Sequence, residues 1–220
     1  MSSSSHDTEH AGQDLPDLRP YLRGGNPLLI VISGPSGAGK DAVVKRMKEL
    51  GYPFHFVITA TTRSPRQGEQ EGVDYFFLSE KEFVDLMHRG ELLEHALVYG
   101  EHKGIPKQQV RHALASGRDV VMRLDVQGAA TVRALVPDAL LVFLIPGSEE
   151  ELLQRLHGRK TETAAELQRR VATMREEMKR ISEFDYVVVN RDGQLDRAVE
   201  AVVAIMHAEK CRTKQRVIRL

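Results

Sequence analysis

A parallel β-sheet flanked by helices is the α/β fold class that this sequence predicts, and three observations predict it. Strand-like and helix-like segments alternate along nearly the whole chain, the pattern of a sheet built through crossover helices. The first apolar run, Leu28-Leu29-Ile30-Val31-Ile32, carries no polar residue, as in a strand covered on both faces. A glycine-rich segment follows it at once and opens onto a helical pattern. With 220 residues, 41% of them hydrophobic, the chain can bury a sizeable core in one domain with insertions.

Taken in order, residues 1–26 are rich in Ser, His, Asp and Gly and read as a flexible tail. The tail lacks the apolar stretch of a signal peptide, and Asp7, Glu9, Asp14 and Asp17 argue against an acidic-poor transit peptide. The first strand leads into a helix whose apolar positions are Val43, Met47 and Leu50, closed by Gly51. Further strands are predicted at Phe56-Val57-Ile58, Val120 to Leu124, Leu140 to Ile145 and Tyr186 to Val189. Ser79 with Glu82 and Ser148 with Glu151 have capping-box spacing, and Gly90 and Gly117 sit where C-terminal caps belong. Two apolar stripes read as core faces: Leu167, Val171, Met174, Met178 and Ile181, then Leu195, Ala198, Val199, Val202 and Met206.

The gap between the second and third strands, roughly 60 residues, is too long for a plain crossover. It reads as an inserted subdomain, 59–118, and a second, arginine-rich insertion, 148–181, suits a lid closing over a polyphosphate. The core is then 27–58, 119–147 and 182–208, with 209–220 as a C-terminal tail.

Lys+Arg and Asp+Glu both number 31, so the charge balance points to neither nucleic acid nor an anionic membrane as partner. No apolar run approaches the ~20 residues that span a bilayer. The single cysteine, Cys211, excludes an intramolecular disulfide and suits a reducing compartment, and the expected location is the cytoplasm.

Gly34-Pro35-Ser36-Gly37-Ala38-Gly39-Lys40 has the spacing of the Walker A phosphate loop. Its glycines let backbone N–H groups converge on phosphate oxygens, and its lysine reaches the β- and γ-phosphates. Strand, loop and helix in that order place these groups at a helix N-terminus, where anions are favoured. The eighth position departs from the pattern: Asp41 stands where Ser or Thr supplies a hydroxyl to Mg²⁺.

The segment Thr61-Thr62-Arg63-Ser64-Pro65-Arg66-Gln67-Gly68-Glu69 through Gly72, Asp74-Tyr75 and Phe77, taken with the phosphate loop, resembles the guanylate kinase family. Glu94, Asp125-Val126-Gln127-Gly128, and Arg155, Gly158, Arg159, Thr161, Glu162 and Thr163 extend the match to about residues 27–208. The resemblance implies a parallel-sheet P-loop NTPase core with an inserted NMP-binding subdomain and a helical lid. It further implies phosphoryl transfer from ATP to GMP, giving ADP and GDP in purine nucleotide metabolism, with Mg²⁺ as cofactor.

The residue chemistry agrees with that implication. Arg63 and Arg66 can present two planar forks to one phosphate, with Tyr75 as a third donor. A desolvated Glu94 carboxylate needs donors. Guanine offers N1–H and N2–H₂ where adenine offers an acceptor and nothing, and Thr59 can serve the guanine O6. By the resemblance these residues hold GMP. Asp125, ending an apolar strand, is counted with the GMP-binding residues and is also placed to order magnesium, together with Asp41, directly or through water. Arg155, Arg159 and Arg170 fall in the lid, where arginines neutralise the transferring phosphoryl group; Arg169 competes with Arg170 for its role.

Three positions depart from the family pattern: Asp41-Ala42 replaces hydroxyl residues, Lys103-Gly104-Ile105 replaces a tyrosine, a glycine and a small residue, and Arg123 replaces an acid. Lys103 can substitute electrostatically for the lost phosphate contact. Two other functions stay open on the sequence: a phosphopeptide-binding module without catalysis, and a kinase for another phosphorylated acceptor such as a ribose phosphate. Either a monomer or a homodimer is compatible with it. His88, His95 and His102 read as packing or surface residues.

Overall fold

The computed structural model describes residues 24–98, 100–157 and 164–220. The chain begins with β1 (Leu29–Ser33), α1 (Lys40–Glu49) and β2 (His55–Phe56). The insertion follows: β3 (Thr59–Thr61), β4 (Tyr75–Phe77), α2 (Glu80–His88), β5 (Leu92–Val98), β6 (Glu101–Pro106) and α3 (Lys107–Ala115). Then come β7 (Val120–Arg123), α4 (Val126–Leu135), β8 (Leu140–Pro146), the lid helices α5 (Glu149–His157) and α6 (Ala164–Lys179), β9 (Tyr186–Asn190) and α7 (Leu195–Lys210).

The core sheet runs β2-β7-β1-β8-β9 with every pairing parallel. Its apolar side chains divide with the two-residue period of a strand. Ile30 and Ile32 face the core shared with Val43 and Met47 of α1 and Val199, Val202 and Met206 of α7. Leu29 and Val31 face the one shared with Val110 of α3 and Ala129 and Val132 of α4. Because β1 is covered on both sides, its burial is complete, which accounts for its unbroken apolar sequence.

A second sheet, β4-β3-β6-β5, forms the insertion, mixing a parallel β3–β4 pair with antiparallel β3–β6 and β5–β6 pairs. It carries its own small core, in which Phe83 of α2 packs on Ala60 and Leu92. Ser79 and Glu82 close both bonds of the expected capping box. At the lid only half the expected box forms. Ser148 Oγ accepts from the Glu151 N–H at 3.2 Å, while the Glu151 carboxylate turns to the Gly147 N–H at 3.0 Å.

Two expectations are corrected in detail. The second strand ends at Phe56 because the Gln109 amide takes both backbone groups of Ile58, accepting from its N–H at 2.9 Å and donating to its C=O at 2.6 Å. The lid stripe does not join the main core: Met174, with Val171 and Met178 beside it, packs on Leu152 of α5 as a separate cluster. Residues past α7 run back over the domain, where Ile218 and Leu220 pack against the second core.

Candidate active site

The loop Gly34 to Gly39 leaves β1 at the C-terminal edge of the sheet, in its middle strand, where open parallel sheets bind ligands. Gly34 has φ of 135°, and a Cβ there would lie 2.2 Å from the Leu144 carbonyl oxygen, so no side chain fits between loop and β8. Gly39 has φ of 89° and caps α1 without a side-chain hydrogen bond, leaving first-turn N–H groups for an anion. Lys40 Nζ lies inside the loop, donating to the Gly34 and Pro35 carbonyls at 2.5 and 3.0 Å. Burial lowers its pKa against the opposing pull of Glu177 and Asp125.

Two residues at this loop were not singled out from the sequence. Asn190 Nδ2 donates to the Ala38 carbonyl at 2.9 Å, and Glu177 of α6 accepts from the Ser36 N–H at 3.4 Å. A polar residue closing the apolar run Tyr186 to Val189 was the available signal for Asn190; nothing local marks Glu177, whose lid helix must first be folded over the loop.

Beside Lys40 opens a cavity of about 310 Å³, walled by Asp41, Thr59, Glu94, Lys103, Arg123 and Asp125 among others. The structure thus brings together residues from α1, β3, β5, β6, β7 and the N-cap of α4 that lie up to 85 positions apart in sequence, Lys40 to Asp125. Burial, with the Asp125 charge adding to it, pushes the Glu94 carboxyl up to about 7. Asp125 caps α4, its Oδ1 accepting from the Gly128 N–H at 2.7 Å.

Arg63 and Arg66 lie on the segment after β3. The Arg63 guanidinium is held by both oxygens of Glu69 at 2.8 and 2.9 Å and stands over the Tyr75 ring at 5.3 Å. The Arg66 N–H donates to the same carboxylate at 2.7 Å, and this bond, with the Arg63 pair, holds Glu69 below the usual carboxylate range. Glu69, predicted only as part of a motif, is therefore the residue that shapes the arginine turn.

From the lid, Arg155 donates to Asp192 at 2.5 Å, to the Asn190 carbonyl at 2.9 Å and, at 3.5 Å, to the Gly37 carbonyl of the loop. Arg159 lies outside the described residues, and Arg170 is described only as part of the α6 backbone.

A family model, guanylate kinase, matches residues 26–209. The chain belongs to the guanylate kinase family. It is 53% identical over 195 residues to "Guanylate kinase 2, chloroplastic/mitochondrial" of Oryza sativa subsp. japonica, covering 88% of this chain and 68% of the relative. It is also 45% identical over 185 residues to a guanylate kinase of Caldanaerobacter subterraneus subsp. tengcongensis, covering 84% and 89%. The crystal structure of guanylate kinase from Anaplasma phagocytophilum superposes with a TM-score of 0.66 at 27% identity, over 86% of this chain and 88% of that one. As a guanylate kinase the protein is an ATP:GMP phosphotransferase, with ATP and GMP as its substrates. Its fold class and family are those expected from the phosphate loop and the arginine segment.

Proposed function

We propose that this guanylate kinase seats GMP in the 310 Å³ cavity and the phosphates of ATP on the loop Gly34 to Asp41. The observation that carries the reading is Glu94, a carboxyl raised to about 7 in a cavity that also holds Lys40 and Thr59. Such a group accepts from the N1–H and N2–H₂ of guanine, with Thr59 donating to O6. Arg63, Arg66, Tyr75 and Lys103 take the GMP phosphate, and Glu69 keeps the arginine turn in shape for it. Lys40, Arg155, Arg159 and Arg170 neutralise the charge on the group in transfer.

Phosphoryl transfer asks the protein for position and charge more than for covalent chemistry. Residues on two sheets, which share a core through Leu93 and Ile105 while the insertion keeps a smaller one of its own, can align the acceptor oxygen with the γ-phosphate when the site closes, and closure excludes water. A magnesium ion bound with the nucleotide would supply charge neutralisation at its phosphates. Among the described residues no three acidic or imidazole side chains gather as a metal-holding group. That suits an ion carried by phosphate and water oxygens, with Asp125 and Asp41 as the nearby acids.

A coupled assay of ADP release with GMP, AMP and ribose 5-phosphate as acceptors tests the reading. GMP alone is expected to turn over, and Glu94→Ala is expected to lower kcat/KM for GMP roughly 30- to 150-fold, the worth of charged hydrogen bonds of about 2–3 kcal/mol. Phosphopeptide binding with no turnover would overturn it. The same proposal keeps the protein in the cytoplasm as a monomer or homodimer without nucleic-acid or membrane partners. Its support is the charge balance, the single exposed thiol Cys211 and the lack of any described helix long and apolar enough to cross a membrane. Cell fractionation and light scattering check these points.

A further inference from the structure

Asp41 and Arg123, two of the three departures from the family pattern, meet. Asp41 is the second residue of α1, and Arg123 ends β7, where its register partner in β1 is Ile32, just ahead of the phosphate loop. The Arg123 guanidinium pairs with the Asp41 carboxylate. Among the described residues neither side chain has another ion-pair partner.

A pair with side chains 44% and 72% exposed contributes little to stability, so its position matters more than its strength. Arg123 lines the cavity between Lys40 and Asp125 on the donor side and Thr59, Glu94 and Lys103 on the acceptor side. It also lines a smaller cavity of about 130 Å³ with Thr59 and Tyr75. Two of the other described arginines of the site are engaged elsewhere, Arg63 by Glu69 and Arg155 by Asp192. A guanidinium has five N–H donors in one plane, so one edge can bind a carboxylate while the rest serve phosphate oxygens. Charge gives a second reason. A lone carboxylate at the loop would repel the polyphosphate, whereas the Asp41–Arg123 pair is neutral, as the hydroxyl of the usual loop is.

We propose that Asp41 and Arg123 act as one unit: Arg123 contacts the phosphate oxygens between donor and acceptor, and Asp41 is the positioning residue that holds it there instead of a ligand to magnesium. The unit rests on the seating of GMP and ATP given above. It concerns two of the positions where this chain departs from the family pattern, and it turns Asp41 from a break in the loop pattern into half of a replacement device.

The test uses Arg123→Gln, Arg123→Lys, Asp41→Asn and the double variant Asp41→Asn/Arg123→Gln, each checked for an unaltered melting transition. Steady-state kinetics are read against magnesium concentration, and ADP binding is read by calorimetry in excess chelator, where no metal contributes. Arg123→Gln is expected to lower kcat about 100-fold and weaken metal-free ADP binding about tenfold, with Arg123→Lys recovering part of both. Asp41→Asn is expected to leave the magnesium midpoint within about twofold, and the double variant to be no worse than Arg123→Gln, since coupled residues are not additive. A shift of the magnesium midpoint of about tenfold or more in Asp41→Asn, additive losses in the double variant, or Arg123→Gln kinetics within about twofold of the parent would each overturn the proposal. The seating of GMP stands or falls separately on Glu94→Ala.

Discussion

With its carboxyl pushed up to about 7 by burial, Glu94 exists near neutral pH as both acid and carboxylate. With GMP seated as proposed, only the carboxylate would accept two guanine N–H groups, so GMP binding would favour the ionised form and expel the proton below pH 7. GMP affinity is expected to fall by up to tenfold per pH unit as pH drops from about 7. Calorimetry between pH 5.5 and 8 reads this, with Glu94→Gln as the reference that removes the titration of the GMP phosphate itself; identical profiles for the two proteins would place the carboxyl away from the base. Gly34 makes a steric prediction. A Cβ at φ of 135° meets a backbone oxygen 2.2 Å away in the middle of β8, so Gly34→Ala is expected to cost about 2 kcal/mol or more in urea unfolding, with loss of nucleotide binding.

Among the elements, local signals were strongest where one short-range rule suffices. The Ser79–Glu82 box forms as its spacing requires, the Ser79 hydroxyl accepting at 3.2 Å and Glu82 accepting in return at 2.8 Å. Ser79→Ala is therefore expected to lower unfolding stability by about 1 kcal/mol, measured by denaturant titration. Gly51, Gly90 and Gly117 end their helices with φ of 71°, 65° and 79°, the left-handed turn glycine permits. Weaker were the points where a distant side chain intervenes. Gln109 stops β2, and the apolar stripe of α6 finds Leu152 instead of the main core; no window of sequence contains both partners.

Across the whole molecule, the chain after α7 locks the sheet edge. Glu209, almost fully buried, accepts from Tyr186 Oη at 2.6 Å and Arg216 Nε at 2.7 Å, and Arg216 also donates to the Ala139 carbonyl at 3.1 Å. Although burial works to raise its pKa, these donors hold Glu209 below the usual carboxylate range. A depressed folded pKa contributes stability that is full above the unfolded value, about 4.3, and is lost as pH falls through the folded one. Arg216→Ala leaves this carboxylate short of its main partner and is expected to cost about 3 kcal/mol. Thermal unfolding at pH 7 and pH 3 checks both points, since the difference between Arg216→Ala and the parent should shrink at the lower pH.

The alternation of strands and helices, the phosphate loop and the arginine segment were legible because each is written in contiguous residues whose spacing mirrors a local geometry. Glu94 was legible for a different reason, the apolar Leu92, Leu93 and Ala96 around it, though the sequence could not say that Asp125 would add to its shift. What lay beyond reach was every pairing across the fold, Asn190 and Glu177 at the loop above all, while Glu69 on Arg63 and Arg216 on Glu209 are near in sequence but carry no spacing rule that marks them. Asp41 and Arg123, more than 80 residues apart, stood as two separate anomalies until the parallel pairing of β1 with β7 set them side by side. Spacing along the chain carries the identity of the loop and its substrate class, while the partner of a charge depends on sheet order, which long-range packing alone sets.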